Sequence, residues 1–217
     1  MRILCIADIH GHAAALDKVL VFGQLQRCTN ILVAGDLCFP GPKPLDTWKL
    51  LQAARAVCVR GVSDVAIATI DPDDLNPTTP EEEARVDRLR ECREALGEIV
   101  LHQLSRLPTT FRMSLESGGE LLLVHGCPED PTTCITPELD DDELEALLGD
   151  ETAELIVCGG SHVPFERSLG NTRVIGVGSV GESPSGPIAN AVLLETTNVG
   201  VEVKLIAIPL DDRDAGT

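Results

Sequence analysis

Five histidines occur in the 217 residues, and four of them, His10, His12, His125 and His162, stand just past apolar runs of strand character. Around them the chain reads Asp8-Ile9-His10-Gly11-His12, Gly35-Asp36, Gly61-Val62-Ser63-Asp64, His125-Gly126 and Gly159-Gly160-Ser161-His162. Carboxylate oxygen and imidazole nitrogen form the ligand set of a hard-to-borderline divalent ion, and adjacent glycine lets the backbone turn so that side chains converge. Each segment alone reads blandly: a lone histidine at a strand end is usually a turn or core residue, and Gly-Asp after a strand is a common turn. Five such segments in one chain, with histidine otherwise almost absent, point to a metal site.

The elements that must position these residues alternate over the first sixty positions. Ile3 to Ala7, Ile31 to Ala34 and Ala56 to Arg60 are short apolar runs of the buried-strand kind. Between them, Ala13 to Leu25 and Leu45 to Ala56 read as helices, the first with Leu16, Val19, Leu20 and Gly23 at three-to-four spacing. Such alternation predicts parallel pairing with right-handed crossovers, and ligands at the carboxyl edge of the sheet. A turn-rich acidic loop, Asp71 to Pro80, then leads into a long helix running to about Leu107, with Thr78 or Thr79 as its cap, Pro80 at its first position and Glu81 to Glu83 on the positive end of its dipole. Short strands follow at Thr110 to Leu115, Leu121 to Val124, Leu155 to Cys158, Arg173 to Val177, Ile188 to Leu194 and Val201 to Ile208, with a small helix near Asp141 to Leu148. One domain over residues 1–210 and a disordered tail over 211–217 are expected. The loop and helix over 70–108 either wall the site or simply connect.

Composition narrows the partners. Seventeen Lys and Arg against thirty-five Asp and Glu leave a formal charge of −18, which repels duplex phosphates and anionic lipid. With four Phe, one Trp and no Tyr, base-stacking surface is scarce. General nucleic-acid binding is therefore not expected. Neither is a membrane role, since no apolar run reaches the roughly 18 residues of a spanning helix. The first residues enter a polar motif without the apolar stretch of a signal peptide, and the eight cysteines form no CxxC pair. Reduced thiols and a cytoplasmic location are the expectation.

In order and spacing, these segments resemble the calcineurin-like metallophosphoesterases, particularly their small prokaryotic phosphodiesterase-like branch. That family runs D-x-H, G-D, G-N-x-D, H-G, G-H-x-H, and the likeness extends from Arg2 to about Gly181, taking in Val163 to Arg167 and Gly178-Ser179-Val180-Gly181. The resemblance implies an α/β fold, a four-layer α-β-β-α sandwich of two mixed sheets flanked by helices. It implies hydrolysis of a small phosphate monoester or diester by a metal-activated water, and the family's dimers and tetramers make a homo-oligomer part of the expectation. By position, Asp8, His10, Asp36 and His162 match the first ion's ligands, with Asp36 bridging, and His125 matches a ligand of the second. Manganese, iron, zinc or nickel suit such sites.

The pattern is broken twice. Val62 stands where the family has its Asn, and Gly160 where it has the first His of G-H-x-H. The second site then keeps only Asp36 and His125, unless His12 joins them. His12 alternatively hydrogen-bonds phosphate or caps the next helix. His125 or His12, freed from an ion, would serve as general acid or phosphate donor, and Asp64 matches the family carboxylate that orients a histidine. Arg60 is one of few cations available to draw in phosphate. The competing class is a catalytically impaired member that binds metal or regulates. Other features read as structure: Asp140 to Glu143 as an acidic helix start, Trp48 as packing, and Cys127 as a turn residue rather than a nucleophile.

Overall fold

A computed structural model describes residues 1–211. Its first sheet contains β1 (Arg2–Ile6), β2 (Asn30–Ala34), β3 (Val57–Val59), β9 (Ile188–Thr197) and β10 (Gly200–Pro209), in the order β10-β9-β1-β2-β3. The second contains β4 (Thr110–Ser114), β5 (Glu120–Val124), β6 (Leu155–Cys158), β7 (Pro164–Leu169) and β8 (Thr172–Val177), in the order β4-β5-β6-β8-β7. Both sheets are mixed. β1, β2 and β3 are parallel, as are β5, β6 and β8, while the outer strands β9, β10, β4 and β7 run antiparallel to their neighbours.

The period of two along each central strand sorts its side chains into layers. On β1, Ile3 and Cys5 face the second sheet, with Leu32 and Ala34 beside them and Leu121, Leu123, Leu155, Val157, Ile175 and Val177 opposite. Leu4 and Ile6 point the other way, against helices α1 (Ala13–Leu25), α2 (Pro44–Ala53) and α4 (Pro80–Ser105). Leu122 and Val124 of β5 turn outward onto α5 (Asp141–Leu148). Helices, sheet, sheet and helix thus stack in four layers, the sandwich that the family resemblance implies, and each layer boundary is a buried apolar cluster.

The helix signals act as read. The Thr79 side chain accepts the Glu82 N–H at 3.2 Å, and Asp140 and Glu143 exchange backbone N–H bonds at 2.8 and 2.9 Å. Trp48 lies in the helix-side core. Three expectations need correction. An additional helix, α3 (Val62–Thr69), starts where the sequence was read only as a strand-end motif. Strand β7, at residues 164–169, was not anticipated. The long helix is also not continuous: Gly97 has φ 70° and ψ 164°, so two helical segments meet there at a kink. Of the predicted tail, only Asp211 is described, with a carboxylate 3.5 Å from Lys18 Nζ, and the rest lies outside the described residues. Among the described residues, no helix is long and apolar enough to cross a membrane.

Candidate metal centre

Register sets the site. Ile6 pairs with Val33, Ala34 with Val59 and Leu123 with Val157, so β1, β2, β3, β5 and β6 end nearly level and release their loops at one edge. The loops are then laced together. Asp8, Ile9, His10 and Gly11 donate their N–H groups to Gly35, Asp36, Asp36 and Leu37 carbonyls at 2.9–3.1 Å. Val180 and Gly181 donate to Ala7 and Asp8, and the Ser179 hydroxyl to Asp8 O at 2.8 Å. Among the described residues, six non-glycine residues have positive φ, and four of them are Asp8, His10, Asp36 and His162. Left-handed backbone costs a side-chain-bearing residue about 1–3 kcal/mol and persists where the surroundings over-determine it, most often at functional sites. Gly35 (φ +85°) admits the packing: a Cβ there would lie 2.7 Å from both Gly61 N and His125 Nδ1.

Two groups of side chains converge at this edge, Asp8 with His10 and His162, and Asp8 with Asp36 and His125. Within each, one ligand atom per residue lies within 4.8 Å of the others. Asp36 Oδ2 stands between them, 3.8 Å from His10 Nε2 and 3.6 Å from His125 Nε2. All three imidazoles are oriented alike. Nδ1 of His10 contacts Phe39 O at 2.6 Å, that of His125 Ala34 O at 2.7 Å, and that of His162 Glu182 O at 3.1 Å. A carbonyl only accepts, so Nδ1 carries the proton in each ring and Nε2 presents a lone pair to the site. His10 and His162 bring two such nitrogens to 3.2 Å. Two ring nitrogens at that separation suit a cation held by both.

The carboxylates call for the same. Asp8, Asp36 and Asp64 are buried, yet among the described residues no Lys or Arg pairs with them. Asp8 Oδ1 has no hydrogen-bond partner. Burial, and then the charge of Asp36, push the Asp8 carboxyl well above the usual range. Burial lowers His162, with His10 adding to the effect, which keeps the ring unprotonated near neutral pH. Stranding unpartnered buried charge is costly, whereas a divalent ion satisfies these oxygens and nitrogens together. The residues present fit such an ion.

Other expected residues fall differently. Asp64 does not hydrogen-bond a histidine; its oxygens accept the N–H groups of Asp36, Leu37 and Gly61, each at 2.9 Å, and so it fixes the backbone of Asp36. Burial and the Asp36 charge raise its pKa to about 6 against the lowering pull of those bonds. His12 belongs to neither group. It opens α1 without a side-chain cap bond, its ring lies against Gly181, and burial lowers its pKa. The Arg60 guanidinium turns away to Ser105 O at 3.0 Å. Val62 is 45 % exposed beside an apolar cleft of about 410 Å³, lined also by Val65, Ala66, Ile70 and Pro131.

Sequence reasoning misses Glu182 and Cys134 as neighbours of the site, and takes Ser63 for a solvated turn residue. Glu182 Oε2 lies 3.8 Å from His10 Nε2, one residue beyond the Gly178-Ser179-Val180-Gly181 segment. Ser63 donates its N–H to Asp36 Oδ1 at 2.8 Å, and its hydroxyl is buried without a partner. Cys134 has its thiol pKa raised by burial first, then by Asp8 and Asp36, which places it in the field of both. The helix over 80–105 buttresses the loop behind His10: Arg88 donates to Pro40 O at 2.6 Å and to Gly41 O, next to the Phe39 carbonyl that holds His10.

Comparison with solved structures gives the same architecture. A hypothetical protein from Pyrococcus horikoshii superposes with TM-score 0.82 at 20 % identity, over 98 % of this chain and 89 % of its own. A metallophosphoesterase from Sphaerobacter thermophilus gives 0.79 at 22 %, over 99 % and 91 %. An archaeal phosphodiesterase gives 0.55 at 14 %, over 96 % and 100 %. No curated protein matches. Residues 1–199 match the calcineurin-like phosphoesterase superfamily domain. With the strand-end carboxylates and imidazoles gathered at one edge of that sandwich, the chain belongs to the calcineurin-like phosphoesterase superfamily.

Proposed function

We propose that the protein is a metal-dependent phosphoesterase acting on a small phosphate monoester or diester. One observation carries the reading: three imidazoles and two carboxylates, Asp8 and Asp36, converge at one edge, with no Lys or Arg of the described residues paired to the carboxylates. Asp8, His10, Asp36 and His162 would hold a first divalent ion, and Asp8, Asp36 and His125 a second. Bound there, the ions supply Lewis acidity towards phosphoryl oxygen and lower the pKa of a water.

The chain itself does the positioning. Asp64, through three backbone bonds, and Ser63 N–H, on Oδ1, leave Asp36 Oδ2 turned to the two histidines. His125, buried and giving its Nδ1–H to Ala34 O, is committed to holding and is not free to act as an acid. His12 is half-buried beside Glu182 and His10, and with its pKa lowered by burial it would serve as a hydrogen-bonding neighbour of bound phosphate. The apolar cleft against Gly61 and Val62 would receive the leaving group of the ester.

Protein purified without chelator, with metals counted per chain and p-nitrophenyl phosphate and bis-p-nitrophenyl phosphate assayed with added manganese, tests the reading. Bound metal with turnover lost in His162→Ala supports it. Metal without turnover on either ester shifts the reading to a metal-binding or regulatory member, and no bound metal ends it.

A further inference from the structure

The group of Asp8, Asp36 and His125 offers three ligands, one short of a four-coordinate shell. Gly160 borders it, donating its N–H to Asp8 Oδ2 at 2.9 Å. A Cβ at Gly160, already at φ +75°, would lie 2.7 Å from Cys134 Sγ and 3.5 Å from His125 Nε2. The sulfur therefore fills the space a side chain at 160 would take, on the Nε2 side of His125, the atom that faces Asp36. We propose that Cys134 is a thiolate ligand to the ion held by Asp8, Asp36 and His125, a proposal that rests on reading this edge as a metal centre.

Two further observations point the same way. Asp8 Oδ1, on a fully buried residue, has no hydrogen-bond partner and lies 3.9 Å from His125 Nδ1 and from His162 Nε2, so this oxygen is left for an ion at the edge that Cys134 borders. The loop carrying Cys134 is also held in place. Cys127 N–H bonds to Asp130 O and Thr133 O, and the Asp130 carboxylate takes the hydroxyls of Thr132 and Thr133 at 2.7 and 2.8 Å. Cys127 directs its own S–H to Asp130 O, whereas Cys134 stands half-buried at the site. Its sulfur is not within the 4.8 Å group, and it swings on a single torsion, χ1, with three staggered settings.

On binding, the thiol gives its proton to solvent and the sulfur lone pair goes to the ion. Thiolate favours zinc or cobalt over manganese, so the two groups would differ in metal preference, the first taking the harder ion.

Cobalt loading tests this directly. The protein should take up cobalt and show near-ultraviolet thiolate-to-cobalt charge transfer, lost in Cys134→Ser with one fewer ion per chain and kept in Cys127→Ser. Alkylation of the unmutated protein, mapped by mass spectrometry, is the second measurement: zinc should slow iodoacetamide at Cys134 by at least about 10-fold, on the scale by which metal-site substitutions change affinity, and leave Cys28 unaffected. Bound cobalt without the charge-transfer band, or labelling of Cys134 indifferent to zinc, overturns the thiolate ligand while leaving the phosphoesterase reading intact. Failure to bind any ion overturns both.

Discussion

The two ligand groups share Asp8 and differ in nearly everything else. The first, Asp8, His10 and His162, is made of residues in left-handed backbone at φ 52°, 49° and 59°, and His162 keeps 26 % of its side chain exposed. The second, Asp8, Asp36 and His125, is enclosed, with His125 2 % exposed and Asp36 held from behind by Asp64 and Ser63. Strain is common to both, since Asp36 also has φ 55°; what separates them is that the first is open on its His162 side and the second is enclosed and supported. An open site exchanges ions and admits substrate and water; a closed one holds its ion through chain support in spite of having few ligands. The asymmetry gives the two candidate groups different roles, one accessible from outside and one held by the chain around it.

The hardest blow to that arrangement is Asp8→Asn, because both groups lose their common member. We expect both ions to be lost and turnover to fall about 10³-fold, on the order of 4 kcal/mol. Stability should move the other way in chelator. The Asp8 carboxyl is raised above its ordinary 3.8, chiefly by burial and then by Asp36. Its contribution to stability is therefore complete below pH 3.8 and is lost as pH rises through the folded value. Chelated wild type should weaken on going from pH 4 upward, and Asp8→Asn should flatten that slope. Denaturation midpoints across pH, with and without chelator, provide the check; equal slopes would mean that Asp8 is not a stranded charge.

Separating the two groups comes next. His162→Ala, at the exposed rim, should cost less than about 0.5 kcal/mol of stability while lowering turnover about 10²-fold. His125→Ala also strips the buried Ala34 carbonyl of its donor, adding about 1–3 kcal/mol of destabilisation. Parallel unfolding and metal counts distinguish them; equal stability losses would break the distinction between an open and a closed group. Asp64→Asn should come lower still in turnover. It leaves one of three backbone N–H groups facing an amide, about 1–3 kcal/mol in stability, and weakens ion affinity about 10-fold by loosening Asp36.

The sequence makes the ligands of both groups easier to read than the residues that support them. Aspartate and histidine after apolar runs announce Asp8, His10, Asp36, His125 and His162, because parallel strands of similar length deliver their ends to one edge. The strand-helix alternation and the Thr79-Pro80 and Asp140 to Glu143 helix starts are likewise local signals, and the structure keeps them. What hides is what depends on contact between distant segments. Asp64 looks like a partner for a histidine until the chain folds and three backbone donors reach it first. Cys134 lies in a loop with no periodicity and meets Gly160 only when β5 and β6 pair. Helix α3 is obscured because its first turn coincides with the Gly61 to Asp64 motif, although Val62, Val65 and Ala66 carry a helical spacing.

The smallest predicted effect decides on which side of the pair the substrate's leaving group lies. The apolar cleft shares Gly61 and Val62 with the closed group's surroundings, and Val62, Val65 and Ile70 are 45 %, 39 % and 38 % exposed, apolar surface that water now covers. An aromatic leaving group placed there would bury it. Val65→Ser removes about two methyl groups and adds a hydroxyl at a position that touches none of the ligands. At about 0.8 kcal/mol per buried methylene, KM for a p-nitrophenyl ester should rise roughly 3- to 10-fold. Turnover and metal content should stay as they are, since the loss is uniform to ground and transition states. The same substitution should leave KM for a methyl phosphate ester unchanged, because that leaving group is too small to reach the cleft. Unchanged KM for both esters would place the leaving group instead at the open side, between His162 and Glu182, and the closed group would then be a purely supporting one.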